Sequence, residues 1–289
     1  MRFEAQLIEA RRERAEKLPS FASSSTDAER ALERAGLLRR AEVPAEVHIE
    51  RLRSTLAAAM DVPSLDTLHR ALPDFSVRPE HHKAVNAAKK RLMQPLTDTA
   101  AAAPFLAAYD ALLCEVIAPH VAEAMGDEGC DALHYSAFPT LRVQHPSGYG
   151  GIRPHCDGIY DLQPGSLNWW VALTHPLRPC RTLHVESAPG ADDFSPLLPA
   201  AGALVRFDGR RCLHFTRPNL SARTRVSLDF RVVPGGHFEP DNRLSRWGYF
   251  ATAARGADGR FAKAADGRLS VLHGIPHKAP YMEVRVHES

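Results

Sequence analysis

The stretch "CLHFTRPNLSARTRVSLDFRVV" (residues 212–233) contains two runs typical of β-strands, separated by proline, asparagine and small polar residues. Four similar runs, rich in Val, Leu, Phe and Trp and bounded by glycine or proline, precede it: "TLRVQ", "SLNWWVALT", "RTLHVES" and "GALVRF". Short strands without long helical patterns between them are typical of antiparallel sandwiches and barrels. The second half of the chain therefore predicts a β core.

The first third of the chain carries helical patterns instead. The segment "STDAERALERAGLL" begins with a capping box, Thr26 with Glu29, and Gly36 stands near its end. Similar spacing occurs in "PAEVHIERLRSTLAAAM" and "PEHHKAVNAAKKRLM". The segment 104–126 is apolar on most of its faces, which predicts a buried helix that Pro119 kinks or splits.

No internal repeat and no low-complexity linker interrupts the sequence, so the simplest organisation is a single domain. We expect a helical flanking region at 1–130, a β core at 131–235 and a C-terminal extension at 236–289. The extension has scattered glycine and proline and no clear period, so the sequence does not assign its structure.

Composition narrows the classes of partner. The formal net charge of +2 comes from 36 basic and 34 acidic residues, which gives no concentrated basic face for nucleic acid. The first residues are charged and no window approaches roughly 18 consecutive apolar residues, so we expect neither a secretory signal nor a membrane span. The five cysteines never form Cys-x-x-Cys, which is typical of reduced thiols in a cytoplasmic protein.

His155 and Asp157 are candidate metal ligands. Residues two apart on a strand point to the same side, so both side chains can reach one ion while Cys156 points away. With one further histidine they would form a facial 2-His-1-carboxylate site, the pattern of non-haem Fe(II) oxygenases. A His-x-Asp triplet alone is weak evidence, because about one is expected by chance in a chain of this composition.

Three His-x-Glu pairs compete with this assignment, and one of them, His237 and Glu239, has no histidine in a following strand-like run. His184 and Glu186 lie in a strand-like run and remain an alternative metal site at this level. His48 and Glu50 lie in a helical pattern, where side chains two residues apart diverge.

The region that follows supplies a third ligand and an anion site. His214 lies in one strand-like run and Arg225 in the next, with Ser227 on the same face as Arg225. A guanidinium can clamp a carboxylate with two hydrogen bonds, and a neighbouring hydroxyl adds another. A metal triad with a carboxylate clamp is what an enzyme needs to seat 2-oxoglutarate. An ion pair of Arg225 with Asp229 is the alternative.

Together, His155-x-Asp157, then His214, then Arg225-x-Ser227 resemble the Fe(II)/2-oxoglutarate-dependent oxygenase superfamily. Within it, "HCDGIYDLQPGSLNWWVALT", "VESAPGADDF" and "HFTRPNLSARTRVSLDFRVVP" look like the streptomycin-biosynthesis-type group, which occurs in antibiotic gene clusters. The resemblance covers residues 138–235 and depends on the combination of motifs rather than on any one of them.

The resemblance implies a mainly β fold, a double-stranded β-helix (jelly roll) that carries the metal site and is flanked by N-terminal helices. It implies that Fe(II) binds to His155, Asp157 and His214. It also implies that 2-oxoglutarate, the co-substrate, binds through its distal carboxylate to Arg225 and Ser227, with Asn168 entering the same pocket.

The expected reaction is hydroxylation or oxidative ring closure, with O2, of a small polar metabolite resembling an aminoglycoside or an amino acid in antibiotic biosynthesis. Polar and aromatic residues of the core are candidates for substrate contact: Arg142, Gln144, Tyr160, Trp170 and His184. His184 departs from the aromatic residue expected there, and the sequence does not say whether Trp169 or Trp170 lines the pocket. Two alternatives are a cupin-type metalloenzyme that does not use 2-oxoglutarate and a non-catalytic β-sandwich binding module.

Overall fold

The structure is a computed structural model that describes residues 2–71, 99–126, 130–146, 151–175, 177–246 and 249–264, together with 83, 87 and 96. The helices are α1 (Arg2–Lys17), α2 (Asp27–Arg34), α3 (Glu46–Ala59), α4 (Thr99–Leu112), α5 (Ala118–Met125) and α6 (Arg243–Arg246). A π-helical turn, Leu113–Ile117, joins α4 to α5. Single 3-10 turns lie at Leu65–Ala71, Asp157–Tyr160, Pro179–Arg181 and Gly235–His237.

Eleven strands complete the described part of the chain. They are β1 (Ala41–Pro44), β2 (Ala132–Ser136), β3 (Thr140–Gln144), β4 (Leu167–Ala172), β5 (Leu183–Val185), β6 (Ser195–Pro196), β7 (Ala203–Phe207), β8 (His214–Thr216), β9 (Arg225–Pro234), β10 (Phe250–Arg255) and β11 (Phe261–Lys263). The expected helix at 79–93 falls almost entirely outside the described residues, as does the end of the extension, 265–289.

The strands form two antiparallel sheets. The larger sheet has the order β1-β7-β4-β9-β2-β10-β11, with β3 also paired to β9, and the smaller has the order β6-β5-β8. Trp170 and Phe207 from the larger sheet pack against Leu183 and Val185 from the smaller one, so the two sheets enclose a common apolar layer. This arrangement confirms the predicted jelly-roll core with flanking helices.

The helices cover the opposite face of the larger sheet. Trp169 on β4 and Phe230 on β9 belong to the same buried cluster as Leu52 on α3 and Tyr109 on α4. Tyr109 also donates a hydrogen bond to the carbonyl of Ser136 at the end of β2, at 2.9 Å. The structure thereby separates the two tryptophans, because Trp169 faces the helices and its neighbour faces the smaller sheet.

The helix signals in the sequence are confirmed where the structure describes them. Thr26 and Glu29 form the predicted capping box at the start of α2. Gly36, with φ of +67°, follows that helix in the left-handed region that glycine adopts without strain. The predicted helix at 104–126 is split by the π-helical turn, and Pro119 lies in the first turn of α5.

The same helix is apolar enough to be compared with a membrane span. The segment Ala100–Met125 contains an 18-residue window with a mean hydropathy of 1.6, so by length and composition alone it could cross a membrane. Alanine supplies much of that hydropathy, which a search for long runs of large apolar residues misses. Tyr109, Leu112 and Ile117 are fully buried against the sheet, and these are the contacts of a core helix.

Two regions add strands that the sequence did not indicate. β1 lies in the region expected to be helical and pairs with β7 at one edge of the larger sheet, Val43 opposite Leu204. β10 lies in the C-terminal extension and pairs with β2, Thr252 opposite His134. Both strands pair with segments distant in the sequence, so local sequence periodicity is a poor guide to them.

The capping box is a testable contributor to stability. We expect Thr26→Ala to lower the free energy of unfolding by about 1 kcal/mol, because the Glu29 amide loses its side-chain acceptor. Urea denaturation followed by circular dichroism measures this. The control is Ser54→Ala on the exposed face of α3, expected to change the free energy by less than about 0.5 kcal/mol. Equal effects of the two substitutions would contradict the prediction.

Candidate metal centre

The two predicted histidine ligands lie side by side on paired backbone segments. His155 forms an antiparallel bridge with His214, with hydrogen bonds of 3.2 and 2.8 Å between their amides and carbonyls. The expectation that Asp157 continues the same strand is wrong, because it begins a 3-10 turn. Its amide donates to the carbonyl of Gly209 at 2.8 Å, and this bond holds its side chain on the same side as that of His155.

The structure brings the three predicted ligands together. One ligand atom from each of His155, Asp157 and His214 lies within 4.8 Å of the other two, and all three residues are buried. The Oδ1 atom of Asp157 is 3.6 Å from Nε2 of His155 and 3.8 Å from Nε2 of His214. Within the described ranges this is the only group of histidine, cysteine and acidic side chains so arranged.

Both imidazoles present the nitrogen that a metal would use. The Nδ1 atom of His155 lies 2.9 Å from the carbonyl of Arg153, and that of His214 lies 3.1 Å from the carbonyl of Cys212. A carbonyl only accepts, so each Nδ1 carries the proton and each Nε2 keeps a lone pair. Burial, reinforced by the neighbouring His155, lowers the pKa of His214 to about 4, so its ring is neutral at pH 7.

The carboxylate is held by two donors from neighbouring strands. Burial alone would raise the pKa of Asp157, but Arg231 and the two histidines hold it well below its usual range. Its Oδ2 atom accepts hydrogen bonds from Nη2 of Arg231 at 2.6 Å and Nδ2 of Asn168 at 2.5 Å. A charged carboxylate beside the neutral imidazole of His214 suits the binding of a divalent metal.

Sequence reasoning missed Arg231 and gave Asn168 a different role. Asn168, predicted to bind the co-substrate, is hydrogen-bonded to Asp157 and so belongs to the metal site. A signal for Arg231 was present, because strand alternation places it on the same face as Arg225 and Ser227. The charged residue between them, Asp229, shares that face.

Asp229 is paired with arginines other than the one the sequence suggested. Its Oδ1 accepts from Nη1 of Arg231 and its Oδ2 from Nε of Arg142, both at 2.6 Å. The alternative of an ion pair between Asp229 and Arg225 is therefore not what the structure shows. Arg142, a predicted substrate residue, lies in the wall of the cavity and holds this carboxylate.

Arg225 is a buried cation whose hydrogen-bond partners among the described residues are neutral. Its Nη1 donates to the hydroxyl of Ser227 at 2.5 Å and its Nε to the amide oxygen of Gln144 at 3.3 Å. In the described part of the chain no carboxylate oxygen lies within 4.0 Å of its guanidinium. Burial, then the nearby Arg142, lowers the pKa of Arg225 to about 9. Such a group is suited to bind an anion that the protein itself does not supply.

One cavity is lined by both histidine ligands and by Arg225. Its apolar wall comes from both sheets and from the loop before His155: Ile152, Trp170, Leu183 and Phe207. Its polar wall contains the two histidine ligands and five other residues: Arg142, Asn168, Arg225, Asp229 and Arg231. Of the two tryptophans, Trp170 is the one that lines the pocket.

Three predicted substrate residues, His184, Tyr160 and Gln144, lie outside the residues that line this cavity, and Gln144 supports its wall. His184 is on the other face of β5 from Leu183 and stacks on Phe215, with ring centroids 5.3 Å apart. Tyr160 lies behind His155, with ring centroids 5.8 Å apart. Gln144 donates to the carbonyl of Arg217 at 2.5 Å and accepts from Arg225, so it orients that guanidinium.

The competing pair and the cysteine between the ligands have structural partners. Glu186 forms a buried ion pair with Arg14 of α1, at 2.6 Å, and accepts from the amide of Leu213. It is therefore not available as a metal ligand with His184. Cys156 points away from the site, as expected, into an apolar cluster with Leu7 of α1, and burial raises its pKa to about 12.

No protein-family model matches the chain. A 121-residue stretch, 42% of the chain, is 31% identical to the streptomycin biosynthesis protein StrG of Streptomyces griseus and covers 56% of that protein. The chain therefore spans little more than half the length of this relative. The match confirms the resemblance to the streptomycin-biosynthesis-type group that the sequence motifs indicate.

Several solved structures are similar to this chain at low identity. They include the non-heme monooxygenase ThoJ in a Ni complex, with a TM-score of 0.38 and 17% identity over 71% of this chain and 77% of that one. The alpha-ketoglutarate-dependent epimerase SnoN from nogalamycin biosynthesis has a TM-score of 0.38 and 13% identity, with coverage of 79% and 85%. A Pseudomonas putida prolyl-4-hydroxylase has a TM-score of 0.37 and 17% identity, with coverage of 74% and 95%.

Gly209 is expected to be necessary for the geometry around Asp157. A Cβ atom at this position would overlap the side-chain amide of Asn168 and displace it from the carboxylate. We expect Gly209→Ala to weaken divalent metal binding at least ~10-fold, measured by isothermal titration calorimetry with Co(II). The matched control is Gly236→Ala, where an added Cβ meets nothing within 4 Å. Unchanged affinity in Gly209→Ala would show that the close contact is unimportant.

Arg225 is expected to lower the stability of the protein in the absence of ligands. We predict that Arg225→Met raises the free energy of unfolding by about 1 kcal/mol, because an apolar side chain replaces a buried cation that has no carboxylate within 4.0 Å in the part of the chain that the structure describes. On the same strand, Arg231→Met should instead lower the free energy of unfolding by about 3 kcal/mol, because the buried carboxylates of Asp157 and Asp229 both lose their ion pair with Arg231. Urea denaturation of the metal-free proteins distinguishes them; destabilisation of similar size in both would refute the interpretation.

Proposed function

We propose that this protein is an Fe(II)- and 2-oxoglutarate-dependent oxygenase of a small polar metabolite. The observation that carries the proposal is that the histidines of a buried 2-His-1-carboxylate group share one cavity with the buried guanidinium of Arg225, which has no carboxylate oxygen within 4.0 Å among the described residues. The donor set fits Fe(II), which two imidazole nitrogens and a carboxylate oxygen bind on one face. His155, Asp157 and His214 would hold the metal, which when bound supplies the activation of O2 for oxidation of the substrate.

Arg225 and Ser227 would bind the distal carboxylate of 2-oxoglutarate. The guanidinium offers two parallel N–H donors, and the serine hydroxyl, 2.5 Å from Nη1, offers a third. Gln144 fixes the orientation of the guanidinium through its Nε. Because burial weakens competition from water, this charge-assisted contact would set both the affinity and the direction of the co-substrate.

The apolar wall would keep the reaction separate from water. Trp170 and Phe207 are nearly fully buried and stand on the cavity side of the larger sheet. The Phe207 ring also contacts His214 edge to face, with centroids 5.5 Å apart, and thereby restricts the ring of that ligand. Exclusion of water from such a site limits side reactions of the bound groups.

The polar wall supports a polar substrate. The ion pair between Arg142 and Asp229 offers both a donor and an acceptor at the cavity surface. The relative StrG is named a streptomycin biosynthesis protein, and this name is in keeping with an aminoglycoside-like or amino-acid-like substrate. Hydroxylation and oxidative ring closure are the two reactions that we propose for such a molecule in antibiotic biosynthesis.

Succinate formation tests the proposal. With Fe(II), O2 and 2-oxoglutarate, the purified protein is expected to release succinate, and faster when a panel of polar metabolites includes its substrate. His155→Ala should abolish turnover. Arg225→Ala should raise the KM for 2-oxoglutarate about 100-fold, because a buried charged contact is lost. The control is Arg246→Ala, at an exposed surface arginine, with unchanged kinetics.

The same assay separates the alternatives. A cupin-type enzyme that does not use 2-oxoglutarate would bind metal through the same triad but would show no succinate and no dependence on Arg225. A non-catalytic binding module would retain no metal at His155, Asp157 and His214. Either result would overturn the proposed function.

A further inference from the structure

We propose that Arg231 and Asn168 are positioning residues that restrict Asp157 to binding metal through a single oxygen, Oδ1. The inference deepens the proposed function and rests on it. It follows from an unequal division of contacts between the two oxygens of one buried carboxylate.

The two oxygens of Asp157 have different surroundings. Oδ1 faces the Nε2 atoms of both histidines, at 3.6 and 3.8 Å. Oδ2 accepts three hydrogen bonds, from Nη2 and Nε of Arg231 at 2.6 and 3.1 Å and from Nδ2 of Asn168 at 2.5 Å. An oxygen surrounded by three donors has no lone pair left for a metal, so a bidentate carboxylate is excluded.

Strand pairing places both donors on the same oxygen. Asn168 on β4 and Arg231 on β9 are directly opposite each other in the larger sheet, and both side chains face the cavity. The side-chain amide of Asn168 also packs directly on the backbone of Gly209, where an added Cβ atom would overlap it. The register of the sheet therefore fixes the backbone positions from which both donors reach the carboxylate.

Arg231 is itself held from the far side. Its Nη1 donates to Oδ1 of Asp229 at 2.6 Å, and Oδ2 of Asp229 accepts from Nε of Arg142 at 2.6 Å. Charges of alternating sign thus run from the cavity wall to the metal ligand, and each oxygen of Asp229 has its own donor. The guanidinium is anchored at both ends and cannot turn away from Asp157 without leaving a buried carboxylate unpaired.

Titration with Co(II) in the absence of 2-oxoglutarate and O2 tests the positioning role. Isothermal calorimetry gives the affinity, and the visible absorption of bound Co(II) reports its coordination number. Arg231→Gln is expected to bind Co(II) 10- to 100-fold more weakly, on the order of the loss seen when such supporting residues are removed. Its spectrum should shift towards higher coordination, because Oδ2 becomes free to bind.

Two further variants test the details. Arg231→Lys keeps the charge but offers a single point donor, so partial recovery of affinity is expected. Asp229→Asn should weaken binding less than Arg231→Gln does, because it loosens the anchor and leaves the donors to Oδ2 in place. The matched control is Arg206→Gln, a buried arginine bonded to His120 and to backbone carbonyls, with wild-type Co(II) affinity and spectrum expected.

The outcomes are distinguishable when the thermal midpoint of each metal-free variant is also measured. Wild-type affinity and spectrum in a folded Arg231→Gln would overturn the inference, as would an equal loss in Arg206→Gln. If Arg231→Gln does not fold, Arg231→Lys and Asn168→Ala decide by the same two measurements. A wild-type protein that binds no Co(II) would overturn the proposed function and the inference together, whereas normal binding in all variants would overturn the inference alone.

Discussion

Strand β9 is the constraint on which the rest of the structure depends. All ten of its residues are buried, and it pairs with β4 on one side and with β2 and β3 on the other. Alternation gives it two faces of opposite character. The face towards the helices carries Val226, Leu228, Phe230 and Val232, and the face towards the cavity carries Arg225, Ser227, Asp229 and Arg231. One strand thus anchors the apolar core and presents most of the charged wall of the site.

Such a density of buried charge is tolerable only when the charges compensate one another. Arg142, Asp229, Arg231 and Asp157 do so as a continuous row of opposite signs. Arg225 is not part of this network, and its hydrogen-bond partners in the described part of the chain are the neutral side chains of Gln144 and Ser227. The pattern separates a self-contained network, which gives the metal ligand its geometry, from a cation that a bound anion would complete.

Most of the site could be predicted because its residues lie at fixed spacings along short strands. His155 and Asp157 are two apart, as are Arg225 and Ser227, and a period of two brings each pair to one side. Asp157 begins a 3-10 turn instead of continuing the strand. Its side chain still lies on the same side as that of His155, because its amide is hydrogen-bonded to the carbonyl of Gly209. His184, which we expected to contact the substrate, does not line the cavity. On a three-residue strand the sequence cannot say which face is inward, and it is Leu183 that enters the cavity.

By itself the sequence indicated the β core, the capped and buried helices, the three candidate ligands, and the arginine and serine that we propose as a carboxylate clamp. Each of these depends on local periodicity or on short spacing, which the chain carries whatever its partners are. The tertiary structure alone decided that Arg231 and Asn168 share one oxygen of Asp157, and that β1 and β10 complete the larger sheet. These features arise from the pairing of segments far apart in the chain, and the register of that pairing is set by the packing of the whole domain.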